Sequence, residues 1–307
     1  MKHYLVTGGA GFIGSHLVDT LIKEGNNVTV VDNLSSGKKE SVNSKAKFYH
    51  ADICDFERIK PLFKGIDCVF HLAAIPKVPF SIQDPVGTSQ ANILGTINIF
   101  KASSDAKVKR VIFASSSSVY GDQKKLPFIE TMIPNPISPY GLQKLVGEQF
   151  AKIFTQLYGI KIICLRYFNV YGPRIDFYSD YSLAVGKFLR LKLQNKPLTI
   201  YGNGRQTRSF CYIDDVVNAT IKASRSSKVK GGEVINIGHS KSYSINYLAK
   251  LVGGETKYFP PRTGDPLHTK ADIHLAKHIL SWQPKIDLDT GIEATKKWFE
   301  RNVSDKM

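Results

Sequence analysis

Thr7-Gly8-Gly9-Ala10-Gly11-Phe12-Ile13-Gly14 is the stretch whose reading decides the fold. It lies between an apolar run, Tyr4–Thr7, and an amphipathic segment that opens at Phe12. Its glycines stand as Gly9-x-Gly11-x-x-Gly14, and equally as Gly8-x-x-Gly11-x-x-Gly14. A strand that turns sharply into a helix needs a residue without Cβ at the bend. A backbone that approaches a pyrophosphate, and a helix packed closely on its strand, need others. The free N–H groups and the positive end of the helix dipole then face the phosphates. Glycine-rich turns also serve packing alone, so the context of the turn decides its meaning. The second apolar run ends at Asp32, about 18 residues beyond Gly14, where a carboxylate can accept hydrogen bonds from adenine-ribose hydroxyls. An aspartate there repels a 2′-phosphate, and no arginine follows in Asn33-Leu34-Ser35-Ser36-Gly37. The expected dinucleotide is therefore NAD.

Outward from this loop, short β-branched runs alternate with helical patterns. The runs are Tyr4–Thr7, Val28–Val31, Lys47–His50, Cys68–Leu72, Arg110–Ala114 and Lys161–Tyr167; between them lie Phe12–Glu24, Phe56–Phe63, Pro85–Ser104 and Pro139–Tyr158. Such spacing predicts right-handed strand-helix-strand units and a doubly wound parallel sheet of the Rossmann kind. After Asn169 the rhythm breaks into shorter elements punctuated by Gly172-Pro173, Gly202-Asn203-Gly204, Gly231-Gly232, Gly253-Gly254 and Pro260-Pro261. The expected organisation is a dinucleotide-binding domain over 1–169 and a smaller α/β substrate-binding lobe over 170–307, with elements of the second free to cross back into the first.

Tyr140-Gly141-Leu142-Gln143-Lys144 opens a helix announced by Ser138-Pro139, and i,i+4 spacing puts the tyrosine and lysine on one face. A phenol titrates near 10, too high for an efficient base at neutral pH. A neighbouring ammonium and a positive nicotinamide ring would lower that value. Upstream, Val111-Ile112-Phe113-Ala114 runs into Ser115-Ser116-Ser117-Ser118, at the carboxyl end of a parallel strand where ligands bind. One of those hydroxyls could share a proton with Tyr140. The charge balance, 42 Lys+Arg against 26 Asp+Glu for a net +16, is spread in ones and twos. No basic helix or aromatic-interleaved basic segment accompanies it, so a solvated surface rather than a nucleic-acid partner is expected. No run approaches the roughly 18 apolar residues of a membrane span, and the apolar strand close behind Met1 leaves no expected signal peptide. Cys54, Cys68, Cys164 and Cys211 lack disulfide or metal spacing, so reduced thiols in a cytoplasm and no metal are expected.

Together these features resemble the extended short-chain dehydrogenase/reductases, and within them the UDP-hexose 4-epimerases. The resemblance spans the chain through Thr7–Gly14, Asp32-Asn33, Asp52-Ile53, His71-Leu72-Ala73-Ala74, Asn92, Ser115-Ser116-Ser117, Tyr140/Lys144, Arg166-Tyr167-Phe168-Asn169, Tyr201-Gly202-Asn203-Gly204, Arg208 and Arg262-Thr263-Gly264-Asp265. It implies that Ser116, Tyr140 and Lys144 are catalytic. It implies an NAD site of Gly8, Gly11, Phe12, Ile13, Gly14, Asp32, Asn33, Ser35, Ser36 and Gly37. Asp52 and Ile53 would touch the adenine, and Leu72, Ala73 and Ala74 the ribose and pyrophosphate path. Asn92, Ser115, Tyr140, Lys144, Tyr167 and Val170 would complete that site, Asn92 by supporting an active-site hydroxyl network. The substrate, a UDP-sugar, would meet Ser116, Ser117, Tyr140, Asn169, Ala184, Val185, Tyr201 and Thr269. Arg208 and Arg262 would clamp its diphosphate and Asp265 its uridine ribose.

Dehydrating and decarboxylating relatives place a carboxylate just after the catalytic Ser/Thr, whereas this chain has Ser117-Ser118. Reversible oxidation at C4 remains. Four residues after Asp265 the glucose-restricted enzymes carry tyrosine and this chain carries Thr269, which leaves room for a 2-acetamido group. UDP-GlcNAc/UDP-GalNAc are the expected substrates, with UDP-Glc/UDP-Gal beside them. The alternatives are another enzyme of the family (a 4-reductase, a uronate epimerase, a dehydratase) or a non-catalytic NAD-binding regulator, against which Tyr140 and Lys144 both speak. Apolar residues on more than one side of Pro85–Ser104 and Pro139–Tyr158 suggest a homodimer joined through helices.

Overall fold

Residues 1–177, 183–261 and 266–302 are described by the computed structural model of the chain. Its centre is a seven-stranded sheet. Six strands precede Asn169: β1 His3–Thr7, β2 Asn27–Asp32, β3 Lys47–His50, β4 Cys68–His71, β5 Arg110–Ser116 and β6 Lys161–Tyr167. The seventh, Val234–Ile237, comes from the later half and lies at the edge beside β6, in the order Val234–Ile237, β6, β5, β4, β1, β2, β3. All six pairings are parallel. β1, β4, β5 and β6 are buried almost end to end because both faces are covered, whereas the edge strand β3 is not. Alternate residues divide between two cores. Tyr4, Val6, Ile112 and Leu165 enter one, with Phe168, Val216, Ile237 and Ile292 from later in the chain; Leu5, Val69, Val111 and Phe113 enter the other. The chain winds outward from β1 to β3, then returns across β1 to β4. That reversal opens a crevice at the carboxyl ends of β1 and β4.

The helices are α1 Phe12–Lys23, α2 Phe56–Ile59, α3 Val78–Gln83, α4 Pro85–Ser89, α5 Thr96–Asp105 and α6 Pro139–Tyr158. The segment expected as one helix from Pro85 to Ser104 is interrupted by a π-turn, Gln90–Gly95, between α4 and α5. The turn drops Asn92 into the structure, where its side chain accepts from the Ile75 N–H (2.8 Å) and donates to the Ile75 carbonyl (3.0 Å). It also brings Gly95 against Ile53, where a Cβ would come within 2.6 Å. Phe56–Phe63 likewise divides into α2 and a 3₁₀ turn, Lys60–Phe63, at Pro61, which lacks an N–H. Helix α3 was not legible in the sequence. The later residues form short strand pairs, Val170–Tyr171 with Cys211–Tyr212, Thr207–Arg208 with Tyr243–Ser244 and Leu198–Tyr201 with Thr256–Phe259, among helices that include Ala184–Leu193 and Ile213–Arg225.

Helix α6 borders the carboxyl end of β5. Ser138 caps it by accepting from Gly141 N–H, Pro139 occupies its first turn, and Gly159 ends it at φ +70. Its buried face carries Tyr140, Lys144 and Glu148 at successive i,i+4 positions. At Gly147 a Cβ would lie 2.6 Å from the Phe113 ring, so glycine lets the helix settle onto β5. Glu148 accepts from Arg166 Nε (2.8 Å) and Nη2 (2.7 Å) of β6, and from Ser115 Oγ (2.5 Å) of β5. Both charges are almost wholly buried. Removing one member of such a pair strands the other in low dielectric, whereas an apolar pair of similar volume can be as stable. Glu148→Ala is therefore expected to lower the free energy of unfolding in urea by about 3–5 kcal/mol. The double variant Glu148→Leu/Arg166→Met should recover most of that loss.

Candidate active site

The turn after β1 is built by close approach. Gly8 lies at φ +71, and a Cβ on it would fall 2.7 Å from Ala73 N; a Cβ on Gly14 would fall 2.1 Å from Gly8 O. Gly11 stands at the N-cap of α1 with no side chain to cap it, so the first-turn amides at Phe12, Ile13 and Gly14 open onto the cradle. Asp32, at the end of β2, accepts from Ala10 N–H (2.9 Å) through one oxygen and Leu34 N–H (2.8 Å) through the other. Each oxygen keeps a second lone pair, and the carboxylate shapes the loop as well as facing its opening. Asn33 donates to Asp52 (2.8 Å) and accepts from Ser35 N–H (3.0 Å). Lys38 N–H closes the Ser36-Gly37 turn onto Ala10 O (3.0 Å). At Asp52 burial raises the carboxyl pKa, but hydrogen bonds from Cys54 N–H and Asn33 outweigh it and hold it below its ordinary value. A cradle closed to Cβ atoms, uncapped helix amides and a carboxylate at the end of β2 fit a dinucleotide with an unmodified ribose.

Beside the cradle, His71 is buried at the end of β4. Its Nδ1 lies 2.8 Å from Thr7 Oγ1 and its Nε2 3.0 Å from Thr96 Oγ1. Thr96 donates to Asn92 O (2.8 Å), so it accepts from His71, which fixes the Nε2–H tautomer. Thr7 then donates to Nδ1 and accepts from Ala73 N–H (3.3 Å). Burial, helped by the Lys144 charge, pushes the imidazole down to about 3 and keeps it neutral. This chain of bonds, with Leu72 N–H donating to Thr7 O, fixes Leu72 and Ala73 against the phosphate turn, and Ala74 follows directly in sequence. Asn92, read from sequence as a ligand-network residue, lies beneath that loop with its amide engaged by Ile75 and by Gln143 (2.7 Å).

Tyr140, Lys144 and Ser116 converge where β5 meets α6. Tyr140 is 8% exposed and Lys144 2%. Lys144 Nζ donates to Ala114 O (2.8 Å) and sits 4.9 Å above the Phe113 ring and 5.9 Å from the Tyr140 ring centre. Ser81 Oγ on α3 accepts from Tyr140 N–H (3.1 Å), and Ser116 Oγ meets Ser118 Oγ (3.1 Å). Burial raises the Tyr140 phenol to about 12 against the opposing hydrogen bond to Ser116. In the protein alone desolvation dominates, and Lys144 without a nicotinamide ring does not make the phenol acidic. Burial also lowers Lys144 to about 8, while the Cys164 and Glu148 charges pull it back up.

From the later residues, Asn169 (φ +32) donates to Ser209 O (3.0 Å) beside the carboxyl end of β6. Thr269 is buried next to it, its Oγ1 3.4 Å from Ser209 N. Arg208 donates to the carbonyls of Thr207 and Leu267 (3.0 and 3.2 Å). Tyr201 packs at a tilt against Phe259 and lies under Lys187. Ala184 and Val185 open their helix, Val185 facing the core. Tyr167 turns its hydroxyl to Thr220 (2.8 Å), Val170 pairs with Cys211, and Ser115 bonds Glu148. Arg262 and Asp265 lie outside the described residues. Glu148 was overlooked in the sequence, and Arg166 was quoted only as part of a motif without a role; a glutamate one turn beyond Lys144 on the same helical face was the available signal.

Residues 4–238 match the NAD dependent epimerase/dehydratase family. A curated relative, the putative UDP-glucose 4-epimerase of Methanocaldococcus jannaschii, is 40% identical over 97% of this chain and 98% of its own. A UDP-glucose 4-epimerase of Thermotoga maritima, solved with UDP-glucose, superposes with a TM-score of 0.94 at 40% identity, over 98% of this chain and 99% of that one. A UDP-N-acetylglucosamine 4-epimerase of Methanobrevibacter ruminantium, in complex with UDP-N-acetylmuramic acid, gives 0.93 at 38%, over the same shares.

The lowered Lys144 pKa has a consequence for stability. Below about pH 8 the folded state carries a buried ammonium that the unfolded chain solvates, and that penalty fades as pH rises from about 8 towards 10.5. In protein stripped of nucleotide, stability relative to Lys144→Met is expected to rise between pH 7 and 10, by on the order of 3 kcal/mol. Urea unfolding at both pH values reads it; parallel behaviour of the two proteins contradicts the assignment.

Proposed function

We propose, from the premise that the chain belongs to the NAD dependent epimerase/dehydratase family, that it is an NAD-dependent 4-epimerase of UDP-hexoses. The proposed substrates are UDP-N-acetylglucosamine and UDP-N-acetylgalactosamine, with UDP-glucose and UDP-galactose beside them. The observation that carries the reading is the convergence of Ser116, Tyr140 and Lys144 at the carboxyl end of β5, with Ser117 and Ser118 where elimination would need a base. The carboxylate under β5, Glu148, is engaged by Arg166 and Ser115.

Tyr140 acts on the C4 hydroxyl, taking its proton as the carbon is oxidised and returning it when the carbon is reduced. The phenol of Tyr140, at about 12 in the protein alone, needs additional positive charge to work as a base near neutrality. NAD+, held by the glycine turn and Asp32, would supply that charge and the hydride-transfer chemistry at C4. Ser116 shares the proton with Tyr140, and Lys144, anchored on Ala114 O, keeps a cation beside the phenol. The 4-keto sugar turns over between the two hydride transfers, so the configuration at C4 can invert. Gly8, Gly11, Gly14 and Asp32 hold the dinucleotide, and Asn169 and Arg208, with Arg262 and Asp265, the nucleotide part of the substrate. Thr269, small and buried beside Ser209, supports room for an acetamido group. A pocket of that kind discriminates by only about 1–3 kcal/mol, which supports dual use.

A homodimer and a cytoplasmic setting belong to the same proposal. Leu142, Ile153 and Leu157 on α6 and Val86 and Leu94 across the α4 and π-turn surface are exposed, in stripes at helical spacing. All four cysteines are free, which suits a reducing compartment. Among the described residues no helix is long and apolar enough to cross a membrane.

Purified protein given a panel of UDP-sugars without added NADH should interconvert UDP-GlcNAc and UDP-GalNAc in an NMR time course. Tyr140→Phe should lower turnover by about 10²–10⁴-fold. Conversion of UDP-glucose with UDP-GlcNAc untouched contradicts the pocket argument, and full turnover by Tyr140→Phe contradicts the proton-transfer assignment.

A further inference from the structure

We infer that Glu148, through Ser115 and Arg166, is a positioning residue that sets Ser116 against Tyr140 for proton transfer. The inference rests on the roles proposed for Ser116 and Tyr140 in the epimerase reaction. Ala114 and Ser115, the two residues immediately before Ser116, are both tied to the helix that carries Tyr140. Ala114 O accepts from Lys144 Nζ at 2.8 Å, and Ser115 Oγ donates to Glu148 Oε1 at 2.5 Å. The end of β5 is thus fixed to α6 at two successive residues, by side chains one turn apart.

Glu148 can act as a rigid anchor because its carboxylate is itself held in plane. Arg166 binds it through Nε and Nη2, and Arg166 is the β6 residue paired with Ser115 in the sheet register. Arg166 in turn lies 4.5 Å from the Tyr120 ring centre, and Tyr120 Oη donates to Asn236 Oδ1 (2.7 Å) on the edge strand. Helix, two central strands and the edge strand therefore share one buried polar array. Burying this ion pair is weak as a device for stability, since an apolar set of like volume serves as well. What it adds is a fixed distance and orientation, and misplacement by about 1 Å is enough to lose on the order of 100-fold in rate.

The test compares Ser115→Ala, Ser115→Thr and Glu148→Leu/Arg166→Met, each loaded with NAD. Ser115→Ala leaves the Glu148–Arg166 pair intact, so it should fold. It is expected to lower kcat by about 10- to 100-fold at saturating NAD, with the KM for UDP-sugar unchanged. Ser115→Thr, which keeps a hydroxyl, should restore kcat. The double variant should remain folded and show the same loss as Ser115→Ala. Crystal structures add a readout independent of turnover: the Ser116–Tyr140 hydroxyl separation should widen in Ser115→Ala and not in Ser115→Thr. If Ser115→Ala keeps its kcat and that separation, the clamp is only structural and the inference is overturned. If the parent protein turns over no UDP-hexose, the functional reading falls, while the separation still decides the clamp.

Discussion

A buried helix face bearing a tyrosine, a lysine and a glutamate is stable only if every charge on it finds a partner. That constraint organises the centre of this molecule. Lys144 finds a carbonyl of β5, Glu148 finds Ser115 and Arg166, and the phenol of Tyr140 is left at the crevice with Ser116. Each partner lies at or near the carboxyl end of β5 or β6, so satisfying the helix fixes the end of the sheet. Gly147 allows the approach, because any side chain there would strike Phe113. The electrostatic result is a site in which desolvation pushes the phenol up and the ammonium down. Raising the phenol leaves it dependent on a positively charged ligand before it can give up its proton.

The parallel sheet was legible because its strands are buried on both faces and read as continuous apolar runs. The glycine turn was legible because only glycine permits its close approaches, at Gly8 against Ala73 and at Gly14 against Gly8. Helix α6 was read from Ser138-Pro139 to Tyr158 without error, since its cap, first-turn proline and terminal glycine are all local signals. The π-turn at Gln90–Gly95 was not legible. Its cause is tertiary, the need of Asn92 to satisfy the Ile75 backbone, and no local pattern announces that. The seventh strand, Val234–Ile237, is four residues long and returns from far along the chain to pair with β6.

The candidate site divides in the same way. The residues proposed to handle the proton stand at fixed spacing on one helix and one strand, and could be named from sequence. The array beneath them could not, because Glu148, Arg166, Tyr120 and Asn236 come from four separate elements and meet only in the folded protein. Spacing likewise reveals the ammonium near Tyr140 but not the depth of burial, which raises the phenol in the protein alone. Thr269 carries the reading of sugar size; in the fold it is buried, and its Oγ1 accepts from Ser209 N–H.

In the proposed reaction the hydrogen on C4 of the sugar is never exchanged with solvent. The direct measurement is mass spectrometry of product formed from UDP-N-acetylglucosamine deuterated at C4, without added reductant. The expected product has inverted C4 configuration and retains its deuterium. Loss of the label to solvent, or a product lacking water or carbon dioxide, would contradict it.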